Sequence, residues 1–372
     1  MNNVLIKPKY DFVGSFLRPQ ILKESKVKLQ EGVITREEYN SIVDEEIVKL
    51  VNKQKELGYN VITDGEFRRS YWHLDFMWGF EGVEHQKGGK GVQFNGEMAA
   101  LDDTFLNGRI RAKAHPFVEY YKFLKQFEDE NTVAKYTIPA PAQMYQQMIV
   151  PQYYEITKKY YKNNDELIND IAVAYQDVIQ QFYDAGCRIL QLDDCTWGAI
   201  VGDAAKQRYK SLGVDIEEVK KQLLKVNNLA LANRPDDMII NTHICRGNYH
   251  STFFTSGAYD SVADYVFAQE NVDGLFLEYD DERSGGFKPL EKVSEEKNVV
   301  LGLITTKKAD LEDKEYIKKR IYKAAQYIDL DRLSLSPQCG FASCEIGNKL
   351  TEEQQWAKLK LVKEIADEVW GN

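Results

Sequence analysis

Eight short apolar runs recur along the chain, and most are separated by longer segments with apolar residues at three- and four-residue spacing. The runs are YDFVGSF (10–16), NVITDG (60–65), VAKYTIPA (133–140), RILQLDD (188–194), MIINTHIC (238–245), GLFLEYD (274–280), NVVLGLIT (298–305) and DRLSLSP (331–337). Near-continuous apolar runs of this length suit strands buried on both faces. The segments 37–58 and 165–186 read as helices and end at Gly58 and Gly186, the residue type that helix C-termini favour. Eight such alternations predict an α/β fold, a parallel sheet closed into a (β/α)8 TIM barrel, with residues 1–372 in one catalytic domain. An open doubly wound sheet competes with it, but no glycine-rich phosphate loop follows an early strand. The stretch from about 80 to 114 does not fit a simple strand–helix unit. Its Gly-rich turns and short alternations predict a hairpin insertion after strand two.

Composition narrows the function. The net charge is −10 and no basic stripe stands out, which argues against a nucleic-acid partner. No apolar run approaches the roughly 18–20 residues of a membrane span. The N-terminus, MNNVLIKPKYDF, has neither a long apolar stretch nor a small-residue cleavage site, so no signal peptide is expected. The five cysteines, Cys187, Cys195, Cys245, Cys339 and Cys344, are sparse and odd in number. That pattern fits reduced thiols in the cytoplasm rather than a disulfide framework.

Polar residues fall at the C-terminal ends of the predicted strands, where a barrel of this kind gathers its catalytic groups. They are Ser15, Asp64 and Glu66, Asp193 and Asp194, His243 and Cys245, Glu278, and, just after the last strand, Cys339. His243 and Cys245 are two residues apart on a strand end, so their side chains share a side. With Glu278 and Cys339 they offer the thiolate, imidazole and carboxylate donors that suit Zn²⁺. Alone, Cys245 or Cys339 is equally well a small buried apolar residue, and His243 a hydrogen-bonded structural histidine. Their joint placement at three strand ends favours a metal. Cys344 reads as packing, with the alternative that it is the true ligand; Cys187 and Cys195 read as packing. TDGEFRR (63–69) fits a solvated loop of acid–arginine pairs as well as a site. LQLDDCTW (190–197) places two adjacent acids after a buried strand, and at least one must face the mouth. Such a pair can bind an ammonium group, hold a metal or act as a base. RSYWHLDFMWGF (69–80) could wall a pocket, with His73 read as structural. His85, His115 and His250 give no signal.

The motifs VGSFLRP, TDGEFRR, LQLDD, HICRG, LEYD and LSPQCGFAS occur in the order and spacing of cobalamin-independent methionine synthase. The chain resembles that family's C-terminal catalytic barrel over nearly its whole length. The resemblance implies a (β/α)8 barrel and a zinc ion held by His243, Cys245, Glu278 and Cys339. It also implies that Ser15 with Gly14, Glu66 and Asp193 hold the amino-acid end of homocysteine. Asp194 stands where the family usually has Glu. Three departures concern the methyl donor. The 372 residues are expected to leave no room for the N-terminal half of the two-barrel members. The family's folate-stacking tryptophan is absent, with Gln147 near its expected place. The family's histidine near the end of strand seven is replaced by Thr305 and Thr306.

The expected enzyme is therefore a zinc-dependent S-methyltransferase that makes methionine from homocysteine. Its partners are small molecules: homocysteine and a methyl donor that is a methyl-folate, a methyl-corrinoid or a small methyl-sulfur compound. Zinc would keep the bound thiol deprotonated. Glu66 and Asp193 would hold the α-ammonium, with Asp194 beside them as a further catalytic candidate, and Glu278, the hardest ligand, is the natural one to loosen. Within the family the rival reading is zinc-dependent alkylation of coenzyme M by an epoxide. Outside it stand a metal-free barrel akin to uroporphyrinogen decarboxylase, which would use Arg18, Arg68, Arg69 and Arg283 on substrate carboxylates, and a non-catalytic zinc-binding protein.

Overall fold

A computed structural model describes residues 8–371, so the first seven residues, on which the reading of the N-terminus partly rests, lie outside the described residues. Eleven strands are present among them: β1 Val61–Ile62, β2 Glu81–Gln86, β3 Val92–Gln93, β4 Met98–Ala99, β5 Asp103–Arg111, β6 Val133–Pro139, β7 Ile189–Asp194, β8 Ile239–Ile244, β9 Gly274–Glu278, β10 Asn298–Ile304 and β11 Leu333–Pro337. Seven form one sheet in the order β1-β6-β7-β8-β9-β10-β11, and its neighbours all pair in parallel. Helices lie between most of these strands. The architecture is α/β, with a parallel sheet consistent with a TIM-barrel-like fold.

The first predicted strand is not a strand. Segment 10–16 makes an isolated parallel bridge, Tyr10 to Leu335, on the β11 edge, with the Asp11 N–H donating to the Leu335 carbonyl at 3.0 Å. At its other end it meets the β1 side: Phe16 N–H donates to Gly65 O at 3.1 Å and the Thr63 hydroxyl to Gly14 O at 2.8 Å. The irregularity has a local cause. Gly14 has φ +149°, and a Cβ there would lie 2.7 Å from the Thr137 methyl, so the chain passes too close to β6 to carry a regular ladder.

Local signals set the helix ends. Thr35 and Glu38 form a reciprocal capping box on the helix Arg36–Glu56, satisfying two otherwise orphaned N–H groups. Asn163 caps the helix Asn164–Asp184. The two-residue period then sorts the strand side chains. Leu190, Leu192, Ile240, Leu275, Leu277 and Leu301 join the main apolar core together with helix residues such as Ile171 and Val178. Val13, Phe276 and Val300 form a separate small cluster on the opposite side. That inner side is also polar. Lys135 Nζ donates to Asp11 Oδ1 at 2.8 Å and to Phe12 O at 2.5 Å, and the Gln191 amide donates to Val13 O and Asp193 Oδ1.

The predicted insertion is an antiparallel pair, β2 with β5, enclosing the small hairpin β3–β4. The hairpin folds back onto the loop after β8. Asn95 N–H donates to Phe253 O at 3.0 Å, and Glu97 pairs with His250 at 2.8 Å and Lys349 at 2.7 Å. Among the described residues, no helix is long and apolar enough to cross a membrane.

Candidate metal centre

His243, Cys245, Glu278 and Cys339 meet at one point. Their donor atoms all lie within 4.8 Å of one another and all four residues are buried. Strand register brings them together: His243 pairs with Phe276 across β8 and β9, two residues before Glu278, and Cys339 follows the end of β11. The two sulfurs are 3.7 Å apart, and Gly247 N–H donates to Cys245 Sγ at 3.2 Å. Asn248 fastens the two cysteine loops, its amide donating to Gly340 O at 2.7 Å.

The donor set fits a divalent cation. Both ring nitrogens of His243 and both carboxylate oxygens of Glu278 are buried without a hydrogen-bond partner, although the imidazole lies beside the Cys339 sulfur and the Phe276 carbonyl. Buried polar atoms are nearly always paired, and a metal ion would satisfy one imidazole nitrogen and the carboxylate. The Cys339 thiol is pushed well up, first by hydrogen bonding with Cys245 and then by burial. Adjacent buried thiols resist ionising unless a cation sits between them. The chemistry of two thiolates, one imidazole and one carboxylate suits zinc.

A cavity of about 310 Å³ opens beside the cluster. His243, Cys245 and Cys339 line it, whereas Glu278 lies behind them. Ser15, Glu66 and Asp193 reach the same cavity. Gly14 does not; its carbonyl accepts from the Thr63 hydroxyl. The Ser15 hydroxyl accepts from Ala342 N–H at 3.4 Å and sits against Gly340, where a Cβ would overlap Ser15 Oγ at 1.9 Å. Glu66 accepts from the Thr137 hydroxyl at 2.8 Å and lies 3.3 Å from Arg69 Nη1, while its second oxygen has no partner. Burial raises the Glu66 carboxyl, opposed by Arg69 and Arg18. Asp193 is pushed well above the usual carboxylate range, by burial first and then by Glu66. Two buried acids, with Glu66 Oε2 unpaired, could receive a cation such as an ammonium group.

Asp194, expected beside Asp193, is not brought to the cavity. The strand period turns it to the opposite side, where Thr196 donates to Oδ1 through its hydroxyl at 2.6 Å and its N–H at 2.7 Å and Asn227 donates to Oδ2 at 3.1 Å. There it neighbours Glu270, which accepts from Trp197 Nε1 at 3.0 Å and is raised to about 8 by burial first and then by Asp194. A carboxyl raised on folding contributes stability at low pH and loses it as pH climbs through the folded value. Glu270→Gln is therefore expected to keep its melting temperature between about pH 5 and about pH 8, where the parent protein declines; parallel melting curves in both variants over that range would exclude this role.

Four arginines were candidates for binding substrate carboxylates, and none lines the cavity. Arg18 is committed to main-chain carbonyls. Arg68 pairs with Asp44, Arg69 with Glu66 and the Thr137 carbonyl, and Arg283 with Asp280 and Asp281. The cation that does line it is Arg208, which is exposed. Other cavity residues were not foreseen. Cys195 and Cys344, read as packing, both line it, and Cys195 faces Cys245. Val92, Phe94, Ala99 and Leu101 come from the insertion, a contribution made by tertiary docking that no local pattern announces. Trp72 and His73, from the segment 69–80 expected to wall a pocket, line it, stacked at 4.5 Å, and burial lowers His73 to about 3. Gln147 reaches the cavity; Thr305 and Thr306 do not.

The profile of the family described as cobalamin-independent synthase, catalytic domain, matches residues 11–368, and the chain belongs to that family. It is 44% identical over 368 residues to YxjG of Bacillus subtilis, a protein of uncharacterized function, covering 98% of this chain and 96% of that one. A methionine synthase of Saccharolobus solfataricus is 23% identical over 340 residues, covering 88% of this chain and 86% of that one. A solved structure from Listeria monocytogenes, described as a candidate vitamin-B12-independent methionine synthase, superimposes with a TM-score of 0.77 at 37% identity, covering 98% of each chain.

Proposed function

We propose that this member of the cobalamin-independent synthase family is a zinc-dependent S-methyltransferase that methylates the thiol of homocysteine to give methionine. The working unit is one (β/α)8 barrel, closed by segment 10–16 between the β11 and β1 edges. The observation that carries the reading is the convergence of four buried donor side chains beside a cavity that is also lined by the carboxyls of Glu66 and Asp193.

His243, Cys245, Glu278 and Cys339 would hold the zinc ion. When bound, zinc supplies a Lewis acid that lowers a thiol's pKa and keeps its sulfur nucleophilic at neutral pH. The protein's own part is placement. Glu66 and Asp193 take the α-ammonium of the acceptor, and the Ser15 hydroxyl its carboxylate. Holding the amino-acid end there aims the sulfur at the cluster, and such positioning contributes several kcal/mol in well-oriented reactions, about 7–11 at the upper end. The walls from β3–β4 and the helix Pro141–Ile149 bound the part of the cavity left for the methyl donor. That donor is a methyl-folate, a methyl-corrinoid or a small methyl-sulfur compound.

The acid pair favours an amino-acid thiol over coenzyme M, whose sulfonate needs cations. The same pair, with the engaged arginines, counts against a decarboxylase that must bind several substrate carboxylates. Zinc K-edge spectroscopy with and without homocysteine tests the assignment. About one zinc per chain is expected, with one more sulfur in its first shell once the thiol is added. An unchanged shell under saturating homocysteine leaves a structural zinc site and ends the proposal.

A further inference from the structure

We propose that Arg18 is the positioning residue of the acceptor subsite: it fixes the turns that present Ser15 and Glu66 without touching the substrate. The inference rests on the homocysteine reading above.

Arg18 is 5% exposed and does not line the cavity. Its Nη1 donates to the carbonyls of Phe16 at 2.9 Å, Gly65 at 3.2 Å and Ala342 at 3.0 Å. Its Nη2 donates to the carbonyls of Glu66 at 2.6 Å and Arg69 at 3.3 Å. These carbonyls belong to three separate segments: the one that carries Ser15, the turn after β1 that carries Glu66, and the loop just past Cys339. Converging carbonyl dipoles repel one another, and a planar guanidinium with donors in a fixed fork is the group that can satisfy so many at once.

Glu66 shows why the knot matters. It is a non-glycine residue at φ +61°, a left-handed conformation that L-residues rarely adopt and that persists where surroundings over-determine it. Its N–H is held by Asp64 Oδ1 at 2.9 Å, its carbonyl by Arg18, and its side chain by Thr137 and Arg69. Relaxing this turn would swing the carboxylate out of the cavity. Arg18 therefore acts through Glu66, and a loss at Arg18 is felt where Glu66 is used.

The test is a double-mutant cycle read by calorimetric titration of homocysteine into the zinc-loaded full chain, with zinc content measured in parallel. Arg18→Ala is expected to weaken homocysteine roughly 10- to 100-fold, the scale of a lost charged hydrogen bond, with zinc stoichiometry unchanged. Arg18→Lys keeps the charge but has fewer donors, and should lie between the two. It also serves if Arg18→Ala does not fold. In a Glu66→Ala background, Arg18→Lys should change affinity by less than about 3-fold, because coupled residues are non-additive. A merely structural role would instead cost the same in both backgrounds, and that result overturns the proposal, as does an Arg18→Lys protein that binds homocysteine like the parent. If Glu66→Ala itself binds normally, the acceptor reading fails first; if Glu66→Ala is weakened and Arg18→Lys is not, only the role of Arg18 is lost.

Discussion

Cys339→Ala is expected to abolish both metal retention and activity, the largest effect of any single substitution here. Cys339 supplies one of four donors within 4.8 Å of one another, its sulfur 3.7 Å from that of Cys245. Losing it removes a thiolate and leaves Cys245, His243 and Glu278 buried around a weaker site. Changes outside the first shell of a metal typically cost about 10- to 100-fold in affinity, so loss of a direct thiolate should exceed that. After gel filtration against a chelator, the parent should keep about one zinc per chain and the variant close to none. Cobalt gives a second readout, since thiolate-to-cobalt absorption scales with the number of bound sulfurs and should fall in the variant. Cys344→Ala is the control. Its sulfur lines the cavity but stands outside the cluster, so its zinc should remain. Equal zinc loss in both variants would point to general destabilisation, and full zinc in Cys339→Ala would remove the residue from the metal centre.

The sequence carried this centre well because its information is periodic. Strand ends at 194, 244, 278 and 337 lie within two residues of the ends of the apolar runs, and a parallel sheet then converts distant strand ends into neighbours. The same period decides between Asp193 and Asp194, yet the sequence alone does not show which of two adjacent acids faces in. That depends on Gln191, which is tied to Val13 O on the inner side and puts Asp193 there with it. Segment 10–16 misled for a steric reason, the close pass of Gly14 over Thr137. Glu66 was visible as a polar residue after a strand, but its positive φ and its fastening by Arg18 belong to tertiary structure. Cys195 carried no signal, since a lone cysteine after an acid pair reads like any small buried residue. The cavity walls from β3 and β4 depend on how the insertion docks, through Glu97 onto His250 and Lys349, and no spacing encodes that.

Asp193→Asn is expected to weaken homocysteine by roughly 10- to 100-fold while zinc stays bound, since a charged hydrogen bond to the ammonium is lost. The pH dependence makes the test sharper. Burial and the facing Glu66 hold Asp193 well above the usual carboxylate range, so in the free protein its carboxyl keeps its proton to higher pH. An α-ammonium placed between the two acids favours their ionised forms. Binding should then release two kinds of proton: the thiol's, and the one that Asp193 still carries. Calorimetry in buffers of different ionisation enthalpy counts them. The parent should release more protons per homocysteine at mildly acidic pH than at alkaline pH, and the variant should lack the share that Asp193 supplies. The sign for stability is opposite to the sign for binding. A carboxyl raised in the folded state favours folding at low pH and opposes it once pH passes the folded value. Substrate-free Asp193→Asn should therefore melt at a higher temperature than the parent as pH rises, while binding its acceptor worse. A variant that loses stability and affinity together across that range would show Asp193 to be a structural acid. A binding-linked proton count identical to the parent's would show that the ammonium is received elsewhere.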